Sequence, residues 1–234
     1  MLKSFRMIQG DLLNLLYPNL CAACNSYLSE KEKVICISCE LKLPHTNYHL
    51  NKENPIMKKF WGRLPLIHAA SFYLFLKTGR VQQLMHQLKY RRNTAVGERV
   101  GQLYAHQLSH DNVLFAQADL IIPIPLHYKK LRQRGYNQSD YFAKGLAENM
   151  NIPWTNELIE RVVNTDSQTG KNRVQRWENV ENIFKLKELD AFVDKHIILV
   201  DDVVTTGSTL EACARKMIEV WQCNVSILTI ASAI

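Results

Sequence analysis

The period of apolar and polar positions changes along the chain. Leu2, Phe5, Ile8, Leu12, Leu15 and Leu16 fall at helical spacing, predicting an amphipathic helix that Pro18 ends. Between 44 and 65 the chain turns polar, with Asn51, Asn54, Pro55, Lys58 and Lys59, and reads as a linker. From residue 66 onward, short apolar runs alternate with helical patterns. Residues 69–76 predict a strand; Val81, Leu84, Met85 and Leu88 mark one helix, and Val96, Val100, Leu103 and Tyr104 another. The nearly all-apolar run 119–126 (DLIIPIPL) suits a buried strand ending at a proline-bearing loop, and Asn137 can cap a helix through Met150. Strands at 158–163 and 197–200, a helix over about 208–221 and a last strand at 225–231 complete the series. The expectation is an α/β fold, a parallel sheet with helices on both faces over 66–234, preceded by a smaller module in 1–65. Ligands of such sheets bind beyond the carboxyl ends of the strands.

The smaller module carries its own chemistry. Four of the six cysteines form Cys21-x2-Cys24-x11-Cys36-x2-Cys39. Each Cys-x2-Cys turn presents two thiolates on one side of a tight loop. Two such turns, joined by a hairpin over 27–35 with Val34 and Ile35 as strand formers, complete a tetrahedral zinc site. Two disulfides are the competing reading, and they need an oxidising compartment. With every position filled by sulfur no coordination site is open, so the zinc is expected to be structural. Glu30, Lys31, Glu32, Lys33, Glu40 and Lys42 alternate in sign around it. That is no basic stripe, and it favours a zinc-ribbon-like packing or docking module over a nucleic-acid contact. Cys213 and Cys223 are expected to be ordinary buried thiols.

Composition narrows the class. Hydrophobic residues at 47% and charged residues at 22% are ordinary for a globular chain, which excludes disordered and fibrous proteins. No run reaches the ~20 apolar residues of a membrane helix. Lys3 and Arg6 before an apolar stretch, with Cys21 after it, superficially resemble an export signal. Gly10, Asp11 and Asn14 interrupt that stretch, and Pro18 and Leu20 stand where small residues would be required. A cytoplasmic protein without membrane insertion is expected. Lys+Arg 29 against Asp+Glu 22 gives a net charge of +7, which suits an anionic partner without choosing among phosphates, nucleic acid and acidic lipid.

The most informative segment is Ile197-Ile-Leu-Val-Asp201-Asp202-Val-Val-Thr205-Thr206-Gly207-Ser208-Thr209. A buried strand delivers two adjacent carboxylates, and a small hydroxyl-rich turn leads into a helix. Backbone N–H groups of that turn, its hydroxyls and the helix N-terminus form an anion cradle. Gly207 lets the backbone approach a phosphate closely. Carboxylates would repel a phosphate at the same spot, so they should contact something polar beside it, and a ribose diol is the natural candidate. Paired aspartates also occur in the magnesium sites of receiver domains, but without such a cradle. A Walker loop needs Gly-x4-Gly-Lys-Ser/Thr, and no such string occurs.

The string resembles the binding signature of type I phosphoribosyltransferases. Three further segments resemble the ComF family, the competence-associated phosphoribosyltransferase-like proteins: Pro123-Ile-Pro125-Leu126-His127 followed by Leu131-Arg132-x-Arg134-Gly135-Tyr136-Asn137-Gln138; Arg161-x3-Thr165-x2-Gln168-x7-Arg176-x2-Asn179-x4-Phe184; and the Leu16-Tyr17-Pro18 lead into the cysteines. The resemblance covers nearly the whole chain. It implies the type I phosphoribosyltransferase fold and binding of 5-phosphoribosyl-1-pyrophosphate with Mg2+, followed by transfer of the phosphoribosyl group to an acceptor that is not legible. Thr205, Thr206, Gly207, Ser208 and Thr209 would hold the 5′-phosphate, and Asp201 and Asp202 the ribose hydroxyls.

The loop after Pro125, with Leu126 and His127 at its head and Lys129, Lys130, Arg132 and Arg134 beyond, would offset the charge of the leaving pyrophosphate. Cleavage at the anomeric carbon passes through an oxocarbenium-like state that water would trap. The polar 164–179 stretch, with Gln168 and Arg176, has the composition of a covering loop. Lys89-Tyr90-Arg91-Arg92 also matches a family pattern, but cations at a helix end suit the helix dipole without any function. Trp61, Trp154, Trp177 and Trp221 are expected to pack rather than stack on bases. The resemblance further implies handling of single-stranded DNA during natural transformation, with other competence proteins as partners. A DNA-processing adaptor or a regulator that binds the phosphoribosyl ligand without turnover fits the same residues.

Overall fold

The structure, a computed structural model, describes residues 18–111, 113–163, 183–187 and 190–233. The helix expected before Pro18, and the 164–179 stretch with Gln168, Arg176 and Trp177, lie outside the described residues.

The main sheet has four parallel strands in the order β1 (Leu66–Leu74), β6 (Asn224–Ser232), β5 (His196–Val204), β2 (Leu120–Pro123). The central strand β6 is buried from Val225 to Ser232, because a strand covered on both faces has no side to show water. Side chains of alternating parity divide between two cores. Ile198 and Val200 of β5 and Leu228 and Ile230 of β6 point to one, packed by α3 (Arg80–Tyr90), α4 (Ala95–Asp111) and α7 (Gln138–Met150). Ile197, Leu199, Val225 and Ile227 point to the other, packed by α8 (Ser208–Trp221) and by Ile56 and Phe60. The expected helices on both faces are therefore present.

Helices α4 and α7 pack with their backbones nearly touching. A Cβ on Gly145 would overlap the Glu98 carbonyl, and one on Gly101 the Phe142 carbonyl, so each helix offers a glycine where the other crosses. Both sheet edges are covered. The Thr46 N–H donates to the Phe72 carbonyl (3.0 Å) and the Leu74 N–H to Pro44 (2.8 Å) outside β1; the Ile121 N–H donates to Pro153 (2.9 Å) outside β2. These short pairings blunt both edges of the sheet.

Four expectations change. The 44–65 stretch contains α2 (Pro55–Lys58) and packs into the core rather than running free. Ile56, Phe60 and Leu64 are buried at four-residue spacing, a sparse apolar face diluted among polar neighbours. Asn54 caps α2 by accepting from the Ile56 and Met57 amides, and its own side-chain N–H donates to Ala69 in β1 (2.8 Å). The 158–163 strand is shorter, β3 (Ile159–Arg161). It pairs antiparallel with β4 (Phe184–Leu186) in a separate ribbon, with Glu160 exposed between less exposed neighbours. The 197–200 strand continues through the acid pair to Val204, in register with β6 as far as Ser232. Trp221 is buried, whereas Trp61 is 51% exposed and does not pack as expected.

Candidate functional site

The four cysteine sulfurs lie within 4.8 Å of one another, the one group of three or more potential metal-ligating side chains among the described residues. Cys24 and Cys36 Sγ are 3.8 Å apart, far beyond a disulfide bond of ~2.05 Å. Four sulfurs held tetrahedrally at ~2.3 Å from a zinc ion would be spaced by about 3.8 Å, so the donor set and its size fit the metal. Residues 27–35 do not form the expected hairpin strands; single bridges join Leu20 to Tyr27 and Lys33 to Ile35. The loop is instead tied by Glu32, whose carboxylate accepts the Ser29 (2.8 Å) and Ile37 (2.7 Å) amides. Cys36 stands immediately before α1 (Ile37–Lys42) and Cys39 lies within it. Leu43 enters the main core, and Glu40 accepts from the Arg99 Nε (3.0 Å) of α4, so the module is joined to the sheet domain. Cys213 and Cys223 are buried, and burial pushes the Cys223 thiol up to about 11.

At the carboxyl end of β5 the two aspartates take different partners. Asp201 Oδ1 accepts the Asp202 N–H (2.8 Å) and the Ser139 hydroxyl (3.1 Å). Burial, reinforced by the neighbouring Asp202 charge, pushes its carboxyl up to about 7 against the pull of those bonds and of Lys89. Asp202 is buried. Its Oδ2 accepts the Gln138 side-chain N–H and forms an ion pair with Lys89 Nζ at 2.8 Å. Lys89, at the end of α3, therefore has a specific partner as well as the helix dipole.

The turn that follows is built from short side chains. Gly207 has φ +83°, a left-handed conformation, and a Cβ there would press to 3.0 Å on the Phe60 ring; only glycine suits the position. The Thr206 and Ser208 hydroxyls lie 2.9 Å apart, and α8 begins at Ser208. Asp201, Val203 and residues 204–210 line a cavity of about 50 Å³.

The loop after β2 is stapled to the next helix. Asn137 donates to the Ile124 carbonyl (3.0 Å) and to Asp140 Oδ1 (2.6 Å), and its own side-chain oxygen caps α7. Leu126 is half-buried. His127 is buried and accepts the Lys129 N–H at the start of α6 (Tyr128–Arg134), so its Nδ1 serves as a helix cap. Arg134 donates to Gln138 Oε1 and sits 5.8 Å from the Tyr90 ring centroid. Arg132 and Lys129 are exposed.

Between the ends of α3 and α6 lies a cavity of about 360 Å³ lined by Lys89, Tyr90, Arg92, Lys130, Gln133 and Arg134, with no acidic lining residue. The acid pair thus separates two cavities: Asp201 lines the hydroxyl-rich one, and the Lys89 that holds Asp202 lines the cationic one. Of the residues expected at the site, Asp201 and the 205–209 turn come together, Lys130 and Arg134 join the second cavity, and Gln168 and Arg176 lie outside the described residues. Lys89, Gln138 and Ser139 were not among those expected. Lys89 and Gln138 stand inside conspicuous strings, but nothing local says which side chain meets which.

No family model matches the chain. The DNA utilization protein YhgH of Escherichia coli O157:H7 is 31% identical over 202 residues, covering 85% of this chain and 84% of its own. Competence protein F of Haemophilus influenzae is 36% identical over 111 residues, 44% of this chain and 48% of its own. Competence protein ComFC of Bacillus subtilis is 36% identical over 100 residues, 43% of this chain and 38% of its own. Among solved structures, an adenine phosphoribosyltransferase from Leishmania tarentolae is 10% identical with a TM-score of 0.40, over 69% of this chain and 91% of that one, a likeness too distant to carry function.

Proposed function

The chain belongs to the ComF family, together with DNA utilization protein YhgH and competence proteins F and ComFC, and on that premise we propose that it binds 5-phosphoribosyl-1-pyrophosphate and transfers its phosphoribosyl group. The observation that carries this reading is the acid pair set between an uncharged, amide-rich turn and a cationic cavity. A ribose with phosphate at one end and diphosphate at the other has that sequence of chemistry. The backbone of Thr205, Thr206, Gly207, Ser208 and Thr209 takes the 5′-phosphate, since N–H groups at a helix start bind anions without a counter-charge. Asp201 and Asp202 accept the two ribose hydroxyls. Arg134 and Lys130, with Arg132 nearby in the chain and, as the family resemblance implies, Gln168 and Arg176, stabilise the diphosphate as the bond from the anomeric carbon to its oxygen breaks and an acceptor nucleophile bonds to that carbon. Leu126 and His127 shape the loop that carries these cations.

Mg2+ belongs to the ligand in this reading. Among the described residues Asp202 is taken up by Lys89 and Gln138 and Asp201 by Ser139 and a backbone amide. Bound with the donor, the ion would help offset the charge of the diphosphate while keeping several of its waters. The four cysteines hold a zinc ion whose closed sulfur shell stabilises the module and leaves no position for substrate. The relatives are named for DNA utilization and for competence; in this reading the chain acts in DNA uptake, in the cytoplasm, with single-stranded DNA and competence proteins as partners. Among the described residues, no helix is long and apolar enough to cross a membrane.

Isothermal titration with the phosphoribosyl donor and Mg2+ tests the site: wild type binds, and Asp201→Asn/Asp202→Asn loses binding. Equal binding by that variant contradicts the assignment. Release of pyrophosphate across a panel of purines, pyrimidines, amines and DNA ends tests transfer, and silence throughout favours a binding-only adaptor. One zinc per chain is expected in purified protein; a metal-free, fully folded sample contradicts the structural role.

A further inference from the structure

Lys89 faces two anion positions with one charge. Its Nζ is 2.8 Å from Asp202 Oδ2, and the same side chain lines the cationic cavity with Arg92, Lys130 and Arg134. A second thread runs beside it: Arg134 donates to Gln138 Oε1, and the Gln138 amide donates to Asp202. Two of the four cations of the cavity are therefore tied to Asp202, one directly and one through an amide.

We propose that diphosphate in the cavity between α3 and α6, where the reading above puts it, draws Lys89 and Arg134 away from Asp202 and Gln138 and so makes the Asp202 carboxylate available to the ribose. The proposal rests on the reading of the acid pair given above and assigns the coupling between its two ends. A diphosphate carries about three negative charges at neutral pH and several acceptor oxygens, so it competes strongly with a single carboxylate for a lysine and an arginine. Once relieved of its counter-ion, Asp202 regains a lone pair for a ribose hydroxyl, and Gln138 turns its amide with it. Lys89 and Gln138 are then positioning residues. The signature is a sign: two anionic ligands sharing a small site should oppose each other, whereas this arrangement makes them cooperate.

The test uses the full chain and five probes by isothermal titration: inorganic pyrophosphate, ribose 5-phosphate, ribose 5-phosphate with saturating pyrophosphate, the full phosphoribosyl donor, and a 5′-phosphorylated oligonucleotide. Pyrophosphate is expected to bind wild type, to weaken ~10-fold in Arg92→Gln and in Lys130→Gln, and to tighten ~10-fold in Asp202→Asn, where Lys89 has lost its competitor. Pyrophosphate should tighten ribose 5-phosphate ~10-fold in wild type and leave it unchanged in Lys89→Gln, with melting curves showing that each variant folds. The proposal is overturned if pyrophosphate fails to tighten ribose 5-phosphate in wild type or tightens it equally in Lys89→Gln, if pyrophosphate ignores Arg92→Gln and Lys130→Gln, if Asp202→Asn does not tighten it, or if the oligonucleotide alone depends on those cations. Its failure is separable from that of the functional reading. Should pyrophosphate behave as stated while the full donor binds no better than pyrophosphate, the diphosphate site stands and the ribose assignment falls.

Discussion

The two cavities beside the acid pair are made from opposite materials. The 205–209 turn presents backbone and short hydroxyls, fixed by a left-handed glycine and by the start of α8. The cationic cavity is made of long side chains from α3 and α6, which can swing between partners. A ligand should meet the first as a preformed cradle with little ordering cost, and the second as an adjustable clamp that responds to charge. One region supplies position, the other response.

The most damaging change should therefore be in the rigid region. Gly207→Val places a β-branched side chain in left-handed backbone, a cost of more than ~1–2 kcal/mol, and drives it into Phe60. Titration should show donor affinity falling at least ~100-fold, with a lowered melting temperature. Donor affinity within a factor of two of wild type would mean the turn is not the cradle.

Asp201→Asn separates binding from stability. The folded carboxyl titrates at about 7, above its ordinary 3.8, so between those values the native state holds a proton that the unfolded chain has lost. This group makes stability fall as pH rises across that window. Removing its charge should raise the melting temperature at pH 8 while weakening the donor ~10-fold or more. A variant less stable than wild type at pH 8 would contradict the burial argument. The same titration gives a smaller effect in wild type: affinity for ribose 5-phosphate should rise severalfold as pH climbs through about 7, because the ionised carboxylate accepts a ribose hydroxyl more strongly than the protonated acid, whose own proton takes up one acceptor position.

The smallest difference is in salt. Pyrophosphate in the cationic cavity should lose more affinity between 50 and 500 mM salt than ribose 5-phosphate does, since exposed side-chain charges are screened and backbone dipoles less so. Equal slopes would mean the two cavities do not differ in kind.

Legibility in the sequence followed contiguity. The strand, acid pair, turn and helix lie within 25 consecutive residues and were readable as a unit, as were the cysteines, whose spacing closes a cluster within 4.8 Å. Lys89 and Asp202 are 113 positions apart, and no local pattern reports an ion pair formed through tertiary packing. The 44–65 stretch was hidden for another reason: three buried apolar residues at four-residue spacing were outnumbered by polar ones that cap and connect. Residues 158–163 were read as part of the main sheet because strand propensity is silent on which partner a strand takes.

A crystal structure with the phosphoribosyl donor and Mg2+ addresses the central assignment most directly. Density should show the 5′-phosphate against the amides of residues 205–209, the ribose hydroxyls on Asp201 and Asp202, and the diphosphate between Arg92, Lys130 and Arg134 with Lys89 turned toward it. Donor bound elsewhere, with the turn and both aspartates untouched, would contradict it.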